Sequence, residues 1–356
     1  MIFWASFFLG MLCLAFPPFR YLAYAVPVLM VLACLADAKV TVGDEVKPFL
    51  VIIGAGLLLG PLATNEGWKD LFFIFAGMSV ALMPRIPRLS LGLIFFWLLV
   101  GFVYLYGVWG DFSGGLRFDF MQSLSSFEGN FSFVFAVLVP FAVASRRYWL
   151  AAACFVLAVL TLKRIAILAA VVATLFVLLG PKRGKLLLNA PVMLTVNATV
   201  LVLNMLYTLG DLDWFIKYFT GQSANEFGMG RQSLQWYVVD GLVNSPWQSW
   251  LGHGMGAVYE AAQKGFGAYE KVNLHSDLMK LAYEIGYVFT AVTIWLMYSS
   301  RHYMLRVGFL FFNVMLFTDN TLIYFFFTFF FFLIMRMQRE GLLDPQPVHG
   351  GSREAA

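Results

Sequence analysis

Apolar runs long enough to cross a bilayer follow one another almost without a break from Ile2 to Gly210, and they resume after His275. This pattern constrains the chain more than any motif does. A helical crossing needs roughly 20 predominantly apolar residues. Spans are expected near 2–17, 19–36, 47–63, 68–84, 89–110, 128–145, 147–163, 164–180, 186–210, 276–299, 302–319 and 320–337, about twelve in all. The expected fold class is an all-α polytopic membrane protein, with a large folded loop before the last three transmembrane helices. Only 12% of the residues are charged and 61% are hydrophobic, whereas soluble domains carry about a quarter charged residues. A water-soluble protein could not hide so much apolar surface.

The net charge of +4 reports topology rather than nucleic acid, because the basic residues sit in short connections between runs. With the N-terminus in the cytoplasm, the inner loops hold Lys39 and Lys47, Arg85 and Arg88, Arg146 and Arg147, Lys182, Arg183 and Lys185, Arg301 and Arg306, and Arg336 and Arg339. Clustering on one face is what the positive-inside rule asks. Both termini are then cytoplasmic, and residues 211–273 lie outside. The chain divides into N-terminal helices over 1–210, the outer loop 211–273, C-terminal helices over 274–337 and a disordered cytoplasmic tail over 338–356. Cys13, Cys34 and Cys154 fall inside apolar runs, so no disulfide framework or metal-ligand spacing is expected. The first run lacks a basic n-region and a cleavage site, and reads as a retained helix. The phenylalanine runs Phe325–Phe327 and Phe329–Phe332 read as lipid-facing.

Two features break the charge pattern on the outer side. One is Lys163-Arg164, at the tip of an apolar hairpin. It suits an outward-facing anion site, since an arginine fork binds phosphate bidentately, and it equally suits a pair snorkelling to headgroups. The other is the polar, glycine-rich stretch from Gly230 to Gly286. Leu234, Tyr237, Val238, Gly241 and Leu242 share one helical face, which predicts an amphipathic helix on the outer surface, ended by Asn244-Ser245-Pro246. Arg231 stands at its start, where the helix dipole gives a cation no benefit; an anionic partner or simple solvation accounts for it. Gly252-His253-Gly254-Met255-Gly256 allows close backbone approach but is no dinucleotide fingerprint. Of the four histidines, His253 and His275 fall on the outer side. His275 opens the next helix and suits proton transfer near neutral pH, or merely caps that helix. Asp277, Lys280 and Glu284 share a face as an expected ion-pair ladder, roughly opposite His275. Asp319-Asn320 is a weaker candidate on the same side.

Taken in order, these elements resemble the O-antigen polymerase and O-antigen ligase superfamily of bacterial membrane glycosyltransferases, across most of the chain. Four segments carry the resemblance: Leu162-Lys163-Arg164-Ile165-Ala166; Gly230-Arg231 followed by Trp236; Asn244-Ser245-Pro246 with the alternating glycines Gly252, Gly254 and Gly256; and His275-Ser276-Asp277-Leu278 with Glu284-Ile285-Gly286. Lys163 replaces the family's usual small hydroxyl residue and Ser276 its usual asparagine. The resemblance implies a C-type glycosyltransferase fold in the inner membrane, acting at the periplasmic face on glycans carried by undecaprenyl pyrophosphate. The acceptor would be another lipid-linked repeat unit for a polymerase, or lipid A-core for a ligase. Membrane lipids and a chain-length regulator protein are the other partners implied; no cofactor and no metal are.

In that setting Arg164, Arg231 and His275 are the expected catalytic residues, the arginines holding the pyrophosphate and His275 accepting or positioning the acceptor proton. Lys163, Trp236, Gly252, His253, Gly254 and Gly256 would contact substrate, and Asp277, Lys280 and Glu284 would support the site. A transporter or flippase is the reading from another class, since about twelve spans also suits carriers, although no internal repeat is visible.

Overall fold

The computed structural model describes residues 1–110, 117–119, 124–228, 230–266 and 273–343; of the tail expected over 338–356, Gln338 and Arg339 belong to the last helix, and residues 344–356 lie outside the described residues. The fold is all-α and 78% helical. A 3-10 turn (Pro17–Tyr24) links α1 (Ile2–Ala15) to α2 (Ala25–Asp37). There follow α3 (Lys47–Leu58), α4 (Asn65–Leu82) and α5 (Leu91–Trp109). A minimal antiparallel ladder, β1 (Phe118–Asp119) with β2 (Leu124–Ser125), precedes α6 (Phe131–Ala144), α7 (Tyr148–Leu160), α8 (Arg164–Leu187) and α9 (Ala190–Leu209). The loop region forms α10 (Asp213–Thr220), α11 (Ala224–Phe227), α12 (Arg231–Asn244), α13 (Pro246–Leu251) and α14 (Ala257–Phe266). The chain ends with α15 (Asp277–Glu284), α16 (Gly286–Ser299), α17 (Tyr303–Leu316) and α18 (Phe325–Arg339).

Among the described residues, four helices are long and apolar enough to cross a membrane: Pro18–Asp37, Leu91–Val108, Arg164–Leu187 and Ala190–Leu209. Six further apolar helices have only 10–17 residues. At a rise of 1.5 Å per residue, a 14-residue helix such as α16 spans about 21 Å, short of a hydrocarbon core of about 30 Å. The architecture is that of an α-helical membrane protein, but helix length does not deliver the expected count of twelve. One expected span is interrupted outright. The run 276–299 breaks into α15 and α16 at Gly286, which adopts φ +80°. A Cβ there would stand 2.5 Å from the Trp250 carbonyl oxygen, so only glycine lets α13 approach the break.

The phenylalanine runs are not lipid-facing. Phe325, Phe327 and Phe329–Phe332 are all buried, because α18 packs along α4 and also touches α1, α6 and α17. The long helices take the periphery instead: only 17% of the span in α9 and 22% of that in α8 is buried. Hydropathy cannot tell these places apart, since lipid tails are as apolar as a packed core. A second, smaller core joins Val238, Val239 and Leu242 of α12 to Val258, Tyr259 and Ala261 of α14, and to Met279 and Tyr283 of α15. Beside it, Trp214, Phe215, Tyr218 and Phe219 of α10 are all exposed, the aromatic character of a helix at a membrane–water interface.

Candidate functional site

His275 does not open a helix. It sits before the Ser276 cap of α15, in a left-handed conformation at φ +56°. Residues with a Cβ seldom adopt that region, and such strain persists only where its surroundings hold it. The turn between α17 and α18 does the holding. The His275 N–H donates to Asn320 Oδ1 at 3.2 Å, and the Asp277 N–H donates to the Asp319 carbonyl at 3.0 Å. Asp277 Oδ2 accepts from the Leu322 N–H at 2.8 Å and from Thr321 Oγ1 at 3.3 Å. Asp319 Oδ1 in turn accepts from Tyr324 Oη at 3.1 Å and from the Asn320 N–H at 2.8 Å.

Two cations distant in sequence act on His275 electrostatically. Burial pushes the His275 pKa below the ordinary histidine value; Arg231 and Lys163 push it the same way, and Asp319 opposes them. Arg231 is the first residue of α12, after Gly230 in a left-handed cap at φ +81°. Its guanidinium has no hydrogen bond or ion pair with any described residue. It is aimed by its helix: Gln235 donates to the Leu274 carbonyl at 3.2 Å and accepts from Thr208 at 3.2 Å, tying α12 to α9 and to the residue before His275. Lys163 precedes α8, and its ammonium pairs with Glu128 at 2.5 Å. Arg164 lies in the first turn of α8 and is exposed. The charges of Lys163 and Arg231 thus both act on His275. A cluster of this kind can hold an anion, with Arg231 offering a fork of N–H donors.

Other expected contacts sit differently. Trp236 is on the exposed side of α12, edge-on to Tyr237. Tyr237 was expected on the apolar face; it too is exposed, and Val239 is buried in its place. Gly252, Gly254 and Gly256 all have positive φ, but what they approach is protein. A Cβ on Gly254 would stand 2.5 Å from the Leu62 carbonyl oxygen. The Gly254 N–H donates to the Glu284 carbonyl at 3.0 Å, and the Gly256 N–H to Glu284 Oε1 at 2.9 Å. His253 stacks on Tyr283 with ring centroids 4.0 Å apart, its Nδ1 facing the Tyr283 carbonyl at 3.1 Å; burial lowers its pKa. The loop is a staple between α4 and the end of α15. Gly254→Ala is therefore expected to lower thermal stability by more than about 1 kcal/mol; a variant of unchanged melting temperature but weakened substrate binding would restore a binding role to the loop.

The expected ladder of Asp277, Lys280 and Glu284 does not pair with itself, since each side chain reaches a different element. Asp277 binds the 319–322 turn, Glu284 binds the glycine loop, and Lys280 forms a short ion pair with Asp70 of α4 while donating to Tyr259 Oη at 2.9 Å. Tyr259 also donates to Asp70 Oδ2 at 2.7 Å. Asp70 and Lys280 are both almost completely buried. Sequence reasoning missed Asp70, though a carboxylate within an otherwise apolar helix was the available signal. It also missed Gln235 and Glu128, which carry no such signal. Among the described residues no group of three or more His, Cys, Asp or Glu is placed to hold a metal ion.

A cavity of about 580 Å³ lies by Met1, Asp37 and Pro84–Pro87. That is the opposite end of α18, where Arg336 donates to the Ala81 carbonyl, so it is remote from the His275 turn. Comparison with family models, curated proteins and solved structures finds no match for this chain, and the resemblance to polymerases and ligases rests on its four motifs alone.

Proposed function

We propose that this chain is a membrane-embedded glycosyltransferase that binds a lipid-pyrophosphate-linked glycan at the cluster of Arg231, Lys163 and His275. The observation that carries the reading is that the charges of Arg231 and Lys163 both act on His275, while the Arg231 guanidinium makes no hydrogen bond or ion pair with any described residue. In the reaction, the bond from the sugar C1 to the pyrophosphate oxygen breaks as the acceptor oxygen bonds to C1. The lipid pyrophosphate leaves with its charge, and the acceptor hydroxyl loses its proton. Arg231 and Lys163 stabilise the charge on the leaving group. Direct displacement inverts C1 and needs no covalent enzyme intermediate. The reading includes about twelve passes, cytoplasmic termini and a periplasmic face for residues 211–273, with polymerisation of lipid-linked repeat units as the activity.

The test is incubation of the purified protein with a defined lipid-linked repeat unit. A ladder of products on a gel is the expected result. No ladder, but a single shifted band once lipid A-core is added, would replace polymerase by ligase; no product with either acceptor would end the transferase reading. Topology is tested separately. Gln222→Cys, exposed between α10 and α11, should react with an impermeant thiol reagent added from outside. Labelling only after lysis would put the cluster on the wrong face for this chemistry.

A further inference from the structure

We infer that Asn320 fixes the tautomer of His275, so that the imidazole presents an Nε2–H donor to whatever occupies the cluster. The inference deepens the proposed function and, for its chemical consequence, rests on it. It begins with a backbone group. The His275 N–H can only donate, and it lies 3.2 Å from the Asn320 side chain. The amide must therefore turn its oxygen toward that N–H. This leaves the amide nitrogen, which can only donate, 3.5 Å from His275 Nδ1. A proton on Nδ1 would set donor against donor; a lone pair there accepts from the amide. A neutral imidazole carries one proton, so it resides on Nε2.

The amide has little freedom to escape this arrangement. Asn320 is 2% exposed, its N–H is tied to the Asp319 carboxylate, and the next residues are clamped by Asp277. His275 Nε2 has no hydrogen-bond partner among the described residues. Among the described residues, the charges that act on the ring are Arg231 from α12, Lys163 from the start of α8, and Asp319 from the turn that also carries Asn320.

The consequence concerns the role of the histidine. A general base at Nε2 needs its proton on Nδ1, facing an acceptor such as the carboxylate of a Ser-His-Asp triad. Here the neighbour at Nδ1 is an amide N–H. His275 then acts as a donor, holding a phosphate or acceptor oxygen, and the acceptor proton leaves to another base or to water after the pyrophosphate has begun to depart. Asn320 is a positioning residue in this scheme.

The tautomer is read directly by nitrogen-15 NMR of ring-labelled histidine, with full-length protein in lipid nanodiscs at a pH where the ring is neutral. The chain has four histidines, and the His275 signals are identified by their loss in His275→Gln. In the wild type Nε2 is expected at the protonated position and Nδ1 at the unprotonated one. In Asn320→Asp a carboxylate still accepts from the backbone N–H but cannot donate, so the two positions should exchange. A wild-type ring protonated at Nδ1 overturns the inference without need of any variant. A wild-type Nε2–H that persists in a folded Asn320→Asp protein removes Asn320 as its cause. The spectrum is recorded without substrate, so a missing product ladder would defeat the proposed transferase and leave the tautomer standing.

Discussion

Arg231→Ala is expected to reduce glycosyl transfer by at least about a hundred-fold, the scale seen when one donor to a developing charge is removed, with no change in melting temperature. The asymmetry follows from what the side chain touches. Its guanidinium makes no hydrogen bond or ion pair with any described residue, so deleting it breaks none of those described. The register of α12 is held by Gln235 and by the buried faces of Leu234, Val238, Val239 and Leu242, all of which the substitution leaves in place. Arg231→Lys should recover only part of the rate, because a point charge cannot reproduce a planar fork on a phosphate. Lys163→Ala should cost less than Arg231→Ala, since Glu128 already sits 2.5 Å from the lysine ammonium and neutralises part of its charge. Initial rates with a lipid-linked donor, alongside thermal unfolding of each variant, decide the matter. A fully active Arg231→Ala protein would take the arginine out of the site and the pyrophosphate reading with it.

Lys280→Met is expected to have the largest effect on stability, about 3–5 kcal/mol, the usual cost of removing one partner from a buried ion pair. Asp70 would be left buried with Tyr259 as its one remaining donor among the described residues, and Asp277 and Glu284, which also act on Lys280, would lose that cation. Replacing both partners, Lys280→Met with Asp70→Leu, should recover part of the loss, because two apolar side chains need no compensation. Unfolding followed in detergent provides the comparison. A single variant as stable as the wild type would show that the pair does not hold α4 to α15, and would turn attention to a functional reason for burying it.

The two variants separate functions that the sequence had grouped together. Residues 230–286 were legible as a polar, folded block within an apolar chain, and Arg231 and His275 as its chemically interesting members. The bounds of α12 were legible too, because Gly230 accepts a left-handed cap and Pro246 cannot extend a helix. The glycine run read as an approach site, and it is one, but the backbone it approaches belongs to Leu62 and Glu284 rather than to a ligand. The same holds for Asp277, Lys280 and Glu284: their spacing put them on one face, and spacing cannot say that each is claimed by a different neighbour.

What the sequence determined by itself was the solvent and the helical class, because the length of an apolar run is a property of one segment, and a bilayer responds to it directly. It also marked where apolar character stops. The tertiary structure alone decided which apolar helices are core and which face outward, placing the phenylalanines of α18 inside and the long helices α8 and α9 at the edge. It also decided that the charge of Lys163 acts on His275, that the partner of Lys280 is Asp70, and that Asn320 faces the imidazole. These are pairwise facts between side chains far apart in the chain. Hydropathy and periodicity describe segments one at a time, so they carry no information about which segments meet.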